Sequence, residues 1–156
     1  MAITGITPIL NVSNVPESLA WFEPLGWKRG FTYNQSGMIL HAQDRNANGE
    51  ANFAGIVATH TDAKGHEHCS QIFLCQGGQG SRGTIMPAWP GDDQTDGVWM
   101  SWWLDSIDAL ETMHADCVKR GCTVTMPPTT EPWGVREFHL RHLDGHMVRV
   151  SVFANA

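Results

Sequence analysis

The chain has 156 residues, of which 42% are hydrophobic and 17% are charged. This composition excludes a disordered segment and is sufficient for one folded domain with its own core. Sixteen acidic and ten basic residues give a net charge of −6, which argues against nucleic acid as a partner and mildly favours a cationic small molecule. Four cysteines without a CxxC spacing, and no apolar run of about 18 residues, predict a cytoplasmic protein with reduced thiols and no membrane partner.

The first half of the chain predicts a strand, a short helix and further strands. Residues 6–12 are predicted to form a strand. Pro8 favours an edge position for it, because proline cannot donate a backbone hydrogen bond to a neighbouring strand. Asn14 is a typical helix N-cap, and the helix that follows is expected to end near Gly26. Strands are then predicted at 27–33, 53–59 and 70–76. Together these elements form a first module at about residues 5–76.

The stretch 77–97 is rich in glycine, proline and aspartate and lacks periodicity, which is typical of a connection between two folded parts. A second module is predicted at about residues 98–153. Its strand at 98–104 leads to a helix capped by Asp105 or Ser106, with an apolar stripe that includes Leu110 and Val118. Basic residues and Gly121 end this helix. Three more strands are predicted at 122–126, 135–142 and 146–153.

The two modules repeat the same order of elements, strand-helix-strand-strand-strand. Residues 11–15 at the end of the first strand correspond to residues 103–107, an offset of 92 positions. The pattern indicates an internal duplication within a single domain of residues 1–156.

The motifs at both ends of the repeat resemble a known family. The first module opens with Pro8-Ile9-Leu10-Asn11-Val12. The second closes with Pro132-Trp133-Gly134-Val135-Arg136-Glu137-Phe138, followed after five residues by Asp144-Gly145. The order and spacing of these motifs resemble those of the glyoxalase/bleomycin-resistance/dioxygenase (vicinal oxygen chelate) superfamily. The resemblance implies an α+β fold of two βαβββ modules, whose mixed sheets form a cup with helices on the convex side. It also implies a homodimer, and whether the first strand is exchanged between protomers stays open.

Side-chain alternation separates the two faces of the second module's strands. Val148, Val150 and Val152 share one face, so Met147 and Arg149 lie on the other. With the family register, the set expected to face the cup is Thr7, Trp99, Trp103, Met147 and Arg149.

The resemblance also bears on metal binding. Family metalloenzymes place His or Glu ligands on the first and last strands of each module, at positions that correspond to Thr7, Trp99 and Arg149. The first module's last strand offers Gln71, Phe73 or Cys75, which include neither a carboxylate nor a histidine. An arginine stays charged at usable pH and repels a cation. The chain is therefore expected to hold no metal and no other cofactor, as in the bleomycin-resistance proteins.

The resemblance, with this arginine, implies a metal-independent small-molecule binding protein that sequesters an aromatic or cationic antibiotic without catalysis. Tryptophans offer a large contact area with few rotors to immobilise, and Trp133 is expected beside the mouth of the cup. The ligand itself is not set by the sequence. The predicted ligand-binding residues are Trp99, Trp103, Trp133, Arg149, Thr7, Phe73 and Met147.

Two alternatives stay open at this point, and a further expectation concerns the histidines of the last hairpin. The chain is instead a metal-dependent enzyme of the same superfamily, a lyase, isomerase or extradiol-type dioxygenase, if displaced ligands come from His41, His60, His66 or His68. Arg149 instead forms a structural ion pair with Glu131, Glu137 or another carboxylate. The histidines around the last hairpin are expected at the surface or in turns rather than as general bases; these are His139, His142 and His146.

Overall fold

The computed structural model describes residues 5–34, 39–40, 51–76 and 97–155. The chain divides into two compact units, residues 1–82 (unit 1) and 83–156 (unit 2), and each is described by itself. Most of the predicted connection 77–97, as well as His41, lies outside the described residues. In the described part of the chain, no helix has the length and apolar character needed to cross a bilayer.

Unit 1 is a five-stranded mixed sheet with one helix. The strand order is β1-β5-β4-β2-β3, and β1 runs parallel to β5 while the other pairs are antiparallel. The edge position of β1 confirms what Pro8 predicted, and Phe73 N donates to the Pro8 carbonyl at 2.9 Å. The elements are β1 (Ile9–Val12), α1 (Val15–Phe22), a 3-10 turn (Glu23–Leu25), β2 (Lys28–Asn34), β3 (Ile39–Leu40), β4 (Ala51–Thr61) and β5 (Glu67–Gln76).

Helix α1 begins and ends as the sequence predicts. The Asn14 side chain accepts from Glu17 N at 2.9 Å, which satisfies one of the first amide groups of the helix. Gly26 ends the following 3-10 turn with φ of 90°, a left-handed conformation that favours glycine. The helix covers one face of the sheet. Each large apolar side chain buried between them stabilises the unit by about 1.5–3 kcal/mol. This core contains Leu10, Val12, Val15, Leu19, Phe22, Ala54, Ile56, Ile72 and Leu74.

Unit 2 is a four-stranded mixed sheet with the order β6-β9-β8-β7. Strand β6 is parallel to β9, and the remaining pairs are antiparallel. Strand β7 is longer than the predicted 122–126 because it continues through Pro127 and Pro128, which an edge strand tolerates. The elements are β6 (Trp99–Trp103), α2 (Ile107–Lys119), β7 (Thr123–Thr130), β8 (Val135–Arg141) and β9 (Met147–Phe153).

Helix α2 is capped by Ser106, whose hydroxyl accepts from Ala109 N at 3.2 Å. Leu110 and Cys117 are fully buried, and burial raises the pKa of the Cys117 thiol to about 12. Val118 was predicted in the apolar stripe, but it is exposed, because it lies about 100° around the helix from Cys117. The facing core of the sheet contains Phe138, Leu140, Val148, Val150 and Val152.

Both units therefore contain the predicted βαβββ order, to which unit 1 adds the two-residue strand β3. The first and last strands pair in parallel in each unit. The fold is α+β and is built from two such modules, as the sequence pattern indicates.

Candidate functional site

The sheet of unit 2 has one face under α2 and one face opposite it, which we call the open face of unit 2. Val148, Val150 and Val152 are buried on the helix side, so the alternate residues of β9 point the other way. The strand register extends this assignment to the neighbouring strands. The side chains on the open face are Trp99, Ser101 and Trp103 of β6, Met147, Arg149, Ser151 and Phe153 of β9, and Glu137, His139 and Arg141 of β8.

A buried carboxylate lies near the centre of this face. Glu137 is only 3% exposed, and its Oε2 accepts from Arg149 Nη2 at 2.5 Å. Its Oε1 lies 3.3 Å from His139 Nε2. The side chain of Arg149 is 33% exposed, so it pairs with Glu137 while part of it stays at the surface. Of the alternatives left open for Arg149, an ion pair with Glu137 is present.

His139 belongs to the same cluster. It lies in the middle of β8, where its backbone is paired with Arg149 of β9. Its ring forms a T-shaped pair with the Trp99 ring, with centroids 5.4 Å apart and planes at 88°. The expectation of a surface or turn position is wrong for this residue. Its two-residue spacing from Glu137 was the signal that could have placed both side chains on one face.

Exposed aromatic rings flank the charged cluster. Trp103 stacks on Phe153 with centroids 5.0 Å apart and ring planes 25° from parallel. Trp99, Trp103 and Phe153 are 46%, 53% and 60% exposed, which is unusual for rings that gather on one sheet face. Phe153 was missed by the sequence reading, although its spacing from Ser151 and Arg149 assigns it to this face.

Two polar atoms near the centre of the face are buried without a hydrogen-bond partner, Ser151 Oγ and Arg149 Nε. Ser151 lies between Trp103 and Glu137 in the strand register. A buried polar atom left unpaired costs about 1–3 kcal/mol. The open face of unit 2 therefore holds hydrogen-bonding capacity that the described residues do not use.

The remaining predicted residues occupy different places. Met147 points to the open side but is fully buried, so it supports the face without offering contact area. Trp133 is exposed in the turn between β7 and β8, and this turn lies beside the end of β9 because Ala154 N donates to the Gly134 carbonyl at 2.9 Å. Thr7 belongs to unit 1, where its hydroxyl donates to Gln71 Oε1 at 3.4 Å.

Phe73 lies in an aromatic cluster on the face of the unit 1 sheet opposite α1. Its ring centroid is 5.5 Å from that of Phe31 and 5.4 Å from that of Phe53. Tyr33 completes the cluster at 5.3 Å from Phe31. Gly55 lies beneath it, where an added Cβ would lie 2.4 Å from the Phe31 ring. Of these rings only Phe73 was predicted to bind a ligand, because the pattern of the sequence does not assign the faces of β2 and β4.

Two of the histidines considered as displaced metal ligands, His66 and His68, lie beside Asp62 at the β4–β5 turn. Asp62 Oδ2 lies 3.3 Å from both His66 Nδ1 and His68 Nε2, and the His60 ring lies 6.3 Å from that of His68. The pKa of Asp62 is lowered, chiefly by the backbone amide of His66. Within residues 5–34, 39–40, 51–76 and 97–155, no group of three or more histidine, cysteine or acidic side chains is arranged to hold a metal ion.

The other two histidines of the last hairpin flank its turn as expected, but they are buried rather than at the surface. His142 Nδ1 accepts from Asp144 N at 3.1 Å, and His146 Nδ1 accepts from Val98 N at 3.0 Å. Burial, with the nearby His146, lowers the pKa of His142 to about 4. His146 thus connects the last hairpin to the start of β6, and His142 stabilises the hairpin turn itself.

Comparison with known structures shows the same fold over nearly the whole chain. TioX from Micromonospora sp. ML1 is 15% identical with a TM-score of 0.57, and the match covers 96% of this chain and 99% of that one. A superfamily member from Sphaerobacter thermophilus DSM 20745 is 19% identical with a TM-score of 0.58, covering 96% and 98%. A glyoxalase/bleomycin resistance protein/dioxygenase from Nocardioides is 15% identical with a TM-score of 0.61, covering 98% and 85%.

No curated protein matches the chain, and at these identities the structural likeness shows the fold alone. The family described as the Glyoxalase/Bleomycin resistance protein/Dioxygenase superfamily matches residues 5–150. With two βαβββ units in the structure, the chain belongs to the glyoxalase/bleomycin resistance protein/dioxygenase superfamily.

Proposed function

We propose that this chain is a metal-independent small-molecule binding protein, which holds an aromatic compound against the open face of unit 2 and sequesters an aromatic or cationic antibiotic. The observation that carries the proposal is the Arg149–Glu137 ion pair between exposed tryptophans. Free cysteines fit a cytoplasmic setting.

The ion pair supports binding without a metal. Both oxygens of Glu137 are already engaged, one by Arg149 and one by His139. A divalent cation needs free carboxylate, imidazole or thiolate donors, and here it would meet a guanidinium that does not deprotonate. The open face of unit 2 is therefore better suited to an organic ligand than to a metal ion.

The exposed rings support an aromatic ligand. A ligand that covers Trp99, Trp103 and Phe153 would be stabilised by roughly 25 cal/mol of binding free energy for each Å² of apolar surface removed from water. Planar rings can stack on them with little loss of rotamer freedom. A cation can also interact with a ring face, but Arg149 on the same sheet face would oppose it. Of the two ligand classes, the aromatic one fits this surface better.

Tryptophan fluorescence titration with a panel of planar antibiotics tests the proposal. We expect saturable quenching that is lost in Trp99→Ala and weakened in Trp103→Ala. Trp21→Phe is the matched control, since Trp21 lies on α1 and packs on Phe22 at 4.8 Å. Quenching that is unchanged in both the Trp99 and Trp103 variants would contradict binding at this face.

A metal-dependent lyase, isomerase or dioxygenase is the second candidate, favoured by the approach of His66 and His68 to Asp62. Both histidines are exposed, so their contacts with Asp62 are explained as ordinary surface interactions without a bound metal. Elemental analysis of tag-free protein separates the candidates. One zinc, nickel, iron or manganese ion per chain would contradict metal-independent binding and favour the second candidate.

The proposal includes a homodimer. Strand β1 has only four residues and pairs with the sheet of unit 1 along one edge, which is a geometry that permits exchange between protomers. Light scattering during size-exclusion chromatography is expected to give twice the chain mass of 17.2 kDa, and a monomer mass at micromolar concentration would contradict it.

A further inference from the structure

The His139–Glu137 pair lies on the open face of unit 2 and can take part in hydrogen bonding and proton transfer, in addition to the apolar contacts of this face. Glu137 accepts from Arg149 through Oε2 and lies 3.3 Å from His139 Nε2 through Oε1. A carboxylate paired with a guanidinium is a hydrogen-bond acceptor only. His139 must therefore carry its proton on Nε2 to bond Glu137, which leaves the lone pair on Nδ1.

That lone pair makes His139 a proton acceptor on a sheet face that carries exposed aromatic side chains. An imidazole whose one nitrogen is held by a carboxylate has a fixed tautomer and an oriented basic nitrogen. The ring of His139 is partly exposed, and the centroid of the Trp99 ring lies 5.4 Å from its own. A planar ligand against Trp99 would thus lie close to the imidazole of His139.

The groups around His139 determine which ligand charge is favoured. Glu137 and Arg141 flank it on β8, Arg149 is its partner on β9, and the neutral Met126 is its partner on β7. The one carboxylate in this set is already paired with Arg149. A negative charge that develops on a ligand would face two arginines and the imidazole.

We propose that the ligand of this face is a planar aromatic compound with an ionisable hydroxyl, a phenol, which transfers its proton to His139 Nδ1 when it binds. The O–H bond breaks with its electron pair left on oxygen, and an N–H bond forms on the imidazole, so no oxidant, reductant or third reactant is needed. The inference rests on the proposed function, since it assigns a ligand class to the same face.

The ion pair between the phenolate and the His139 imidazolium would be stabilised by the neighbouring groups. The phenolate oxygen would accept a charge-assisted hydrogen bond from the imidazolium, while Glu137 stabilises the imidazolium from its other nitrogen. Arg149 Nε, which is buried and unpaired, offers a further donor in the same region. A cationic ligand would gain none of these interactions.

The probe is 4-nitrophenol, whose neutral and ionised forms absorb at different wavelengths. At a pH somewhat below its own pKa, added protein is expected to raise the phenolate absorbance saturably, in step with tryptophan quenching. His139→Gln keeps a donor for Glu137 but has no base, so it should bind without the rise in phenolate. His114→Gln is the matched control, because His114 lies on α2 and contacts Phe138 on the helix side.

Two further measurements keep the result decisive if a variant is unstable. The methyl ether 4-nitroanisole has the same ring without the acidic proton, and it should bind the wild-type protein about tenfold more weakly. In protein labelled with ¹⁵N-histidine, one imidazole should become doubly protonated on addition of 4-nitrophenol.

The outcomes separate this inference from the proposed function. If the antibiotic panel quenches tryptophan but 4-nitrophenol either does not bind or binds without ionising, the binding function stands and the phenol inference is overturned. An equal rise in phenolate in His139→Gln also overturns it. If the whole panel and 4-nitrophenol fail to bind, both fail together.

Discussion

Arg149 of β9 and Glu137 of β8 lie on the open face of unit 2, with Nη2 of the guanidinium 2.5 Å from Oε2 of the carboxylate. The carboxylate is buried while one third of the arginine side chain is exposed. This pair fixes a positive group where family metalloenzymes carry a ligand, by the register of the resemblance. It also holds Glu137 within 3.3 Å of His139. Under the proposed function this contact would oppose a metal, and under the phenol inference it would orient a base.

Glu137→Gln is expected to destabilise the fold by about 1–3 kcal/mol, because it leaves the Arg149 charge without its carboxylate in a partly buried site. Urea unfolding followed by circular dichroism measures this. Glu111→Gln is the matched control, since the Arg136–Glu111 pair at 2.6 Å is more exposed and should cost less than about 1 kcal/mol. Equal losses in the two variants would contradict a special role for Glu137.

The stability of the protein is expected to fall as the pH drops from 6.5 towards 4. The pKa of His142 is lowered from 6.5 to about 4 by burial, so the unfolded chain takes up a proton that the folded protein resists. The contribution is complete above pH 6.5, declines between 6.5 and 4, and amounts to about 3 kcal/mol at most.

The measurement for His142 is the free energy of unfolding at several pH values. His142→Gln removes the titrating group and should give a flatter profile across this window. His66→Gln, at an exposed position, should leave the slope of the wild-type protein intact. If the His142 variant keeps the full slope, another group is responsible.

Gly55→Ala is expected to displace the Phe31 ring, because the new methyl group would lie 2.4 Å from it. Overpacking of this kind costs about 1–3 kcal/mol. The chain has a single tyrosine, Tyr33, so labelling with 3-fluorotyrosine gives one ¹⁹F signal within the cluster, and this signal should shift. Gly5→Ala is the control, with nothing within 4 Å of its added Cβ, and an unmoved signal in Gly55→Ala would contradict the packing.

Leu110→Ala and Val118→Ala compare the two sides of α2. Leu110 is fully buried, so its truncation should cost about 2–5 kcal/mol, whereas Val118 is exposed and should cost less than about 0.5 kcal/mol. Thermal and urea unfolding check the pair. A large loss at Val118 would restore the sequence-based assignment of that residue to the core.

Local signals were enough to predict most of the fold. Asn14 and Ser106 cap their helices by forming short-range hydrogen bonds, so the sequence alone reveals both starts. The two-residue strand β3 (Ile39–Leu40) was missed because two residues carry no measurable periodicity. Strand β7 was predicted too short because its two prolines hide an edge strand that pairs on one side only.

The site was predictable in part. Alternation along β9 placed Arg149 on the open face, because side-chain direction has a period of two. To identify its partner requires the β8–β9 register, because the sequence alone leaves Glu131, Glu137 and other carboxylates open. The rings around Phe73 were missed for a similar reason, since Phe31 and Phe53 meet it only through pairing with β4 and β5.

The most direct test of metal-independent aromatic binding is one fluorescence titration carried out on tag-free protein before and after exhaustive treatment with EDTA. We expect a planar antibiotic to quench tryptophan with the same affinity in both preparations, and Trp99→Ala to abolish the quench in each. Binding that disappears after chelation and returns with added zinc would contradict the central claim.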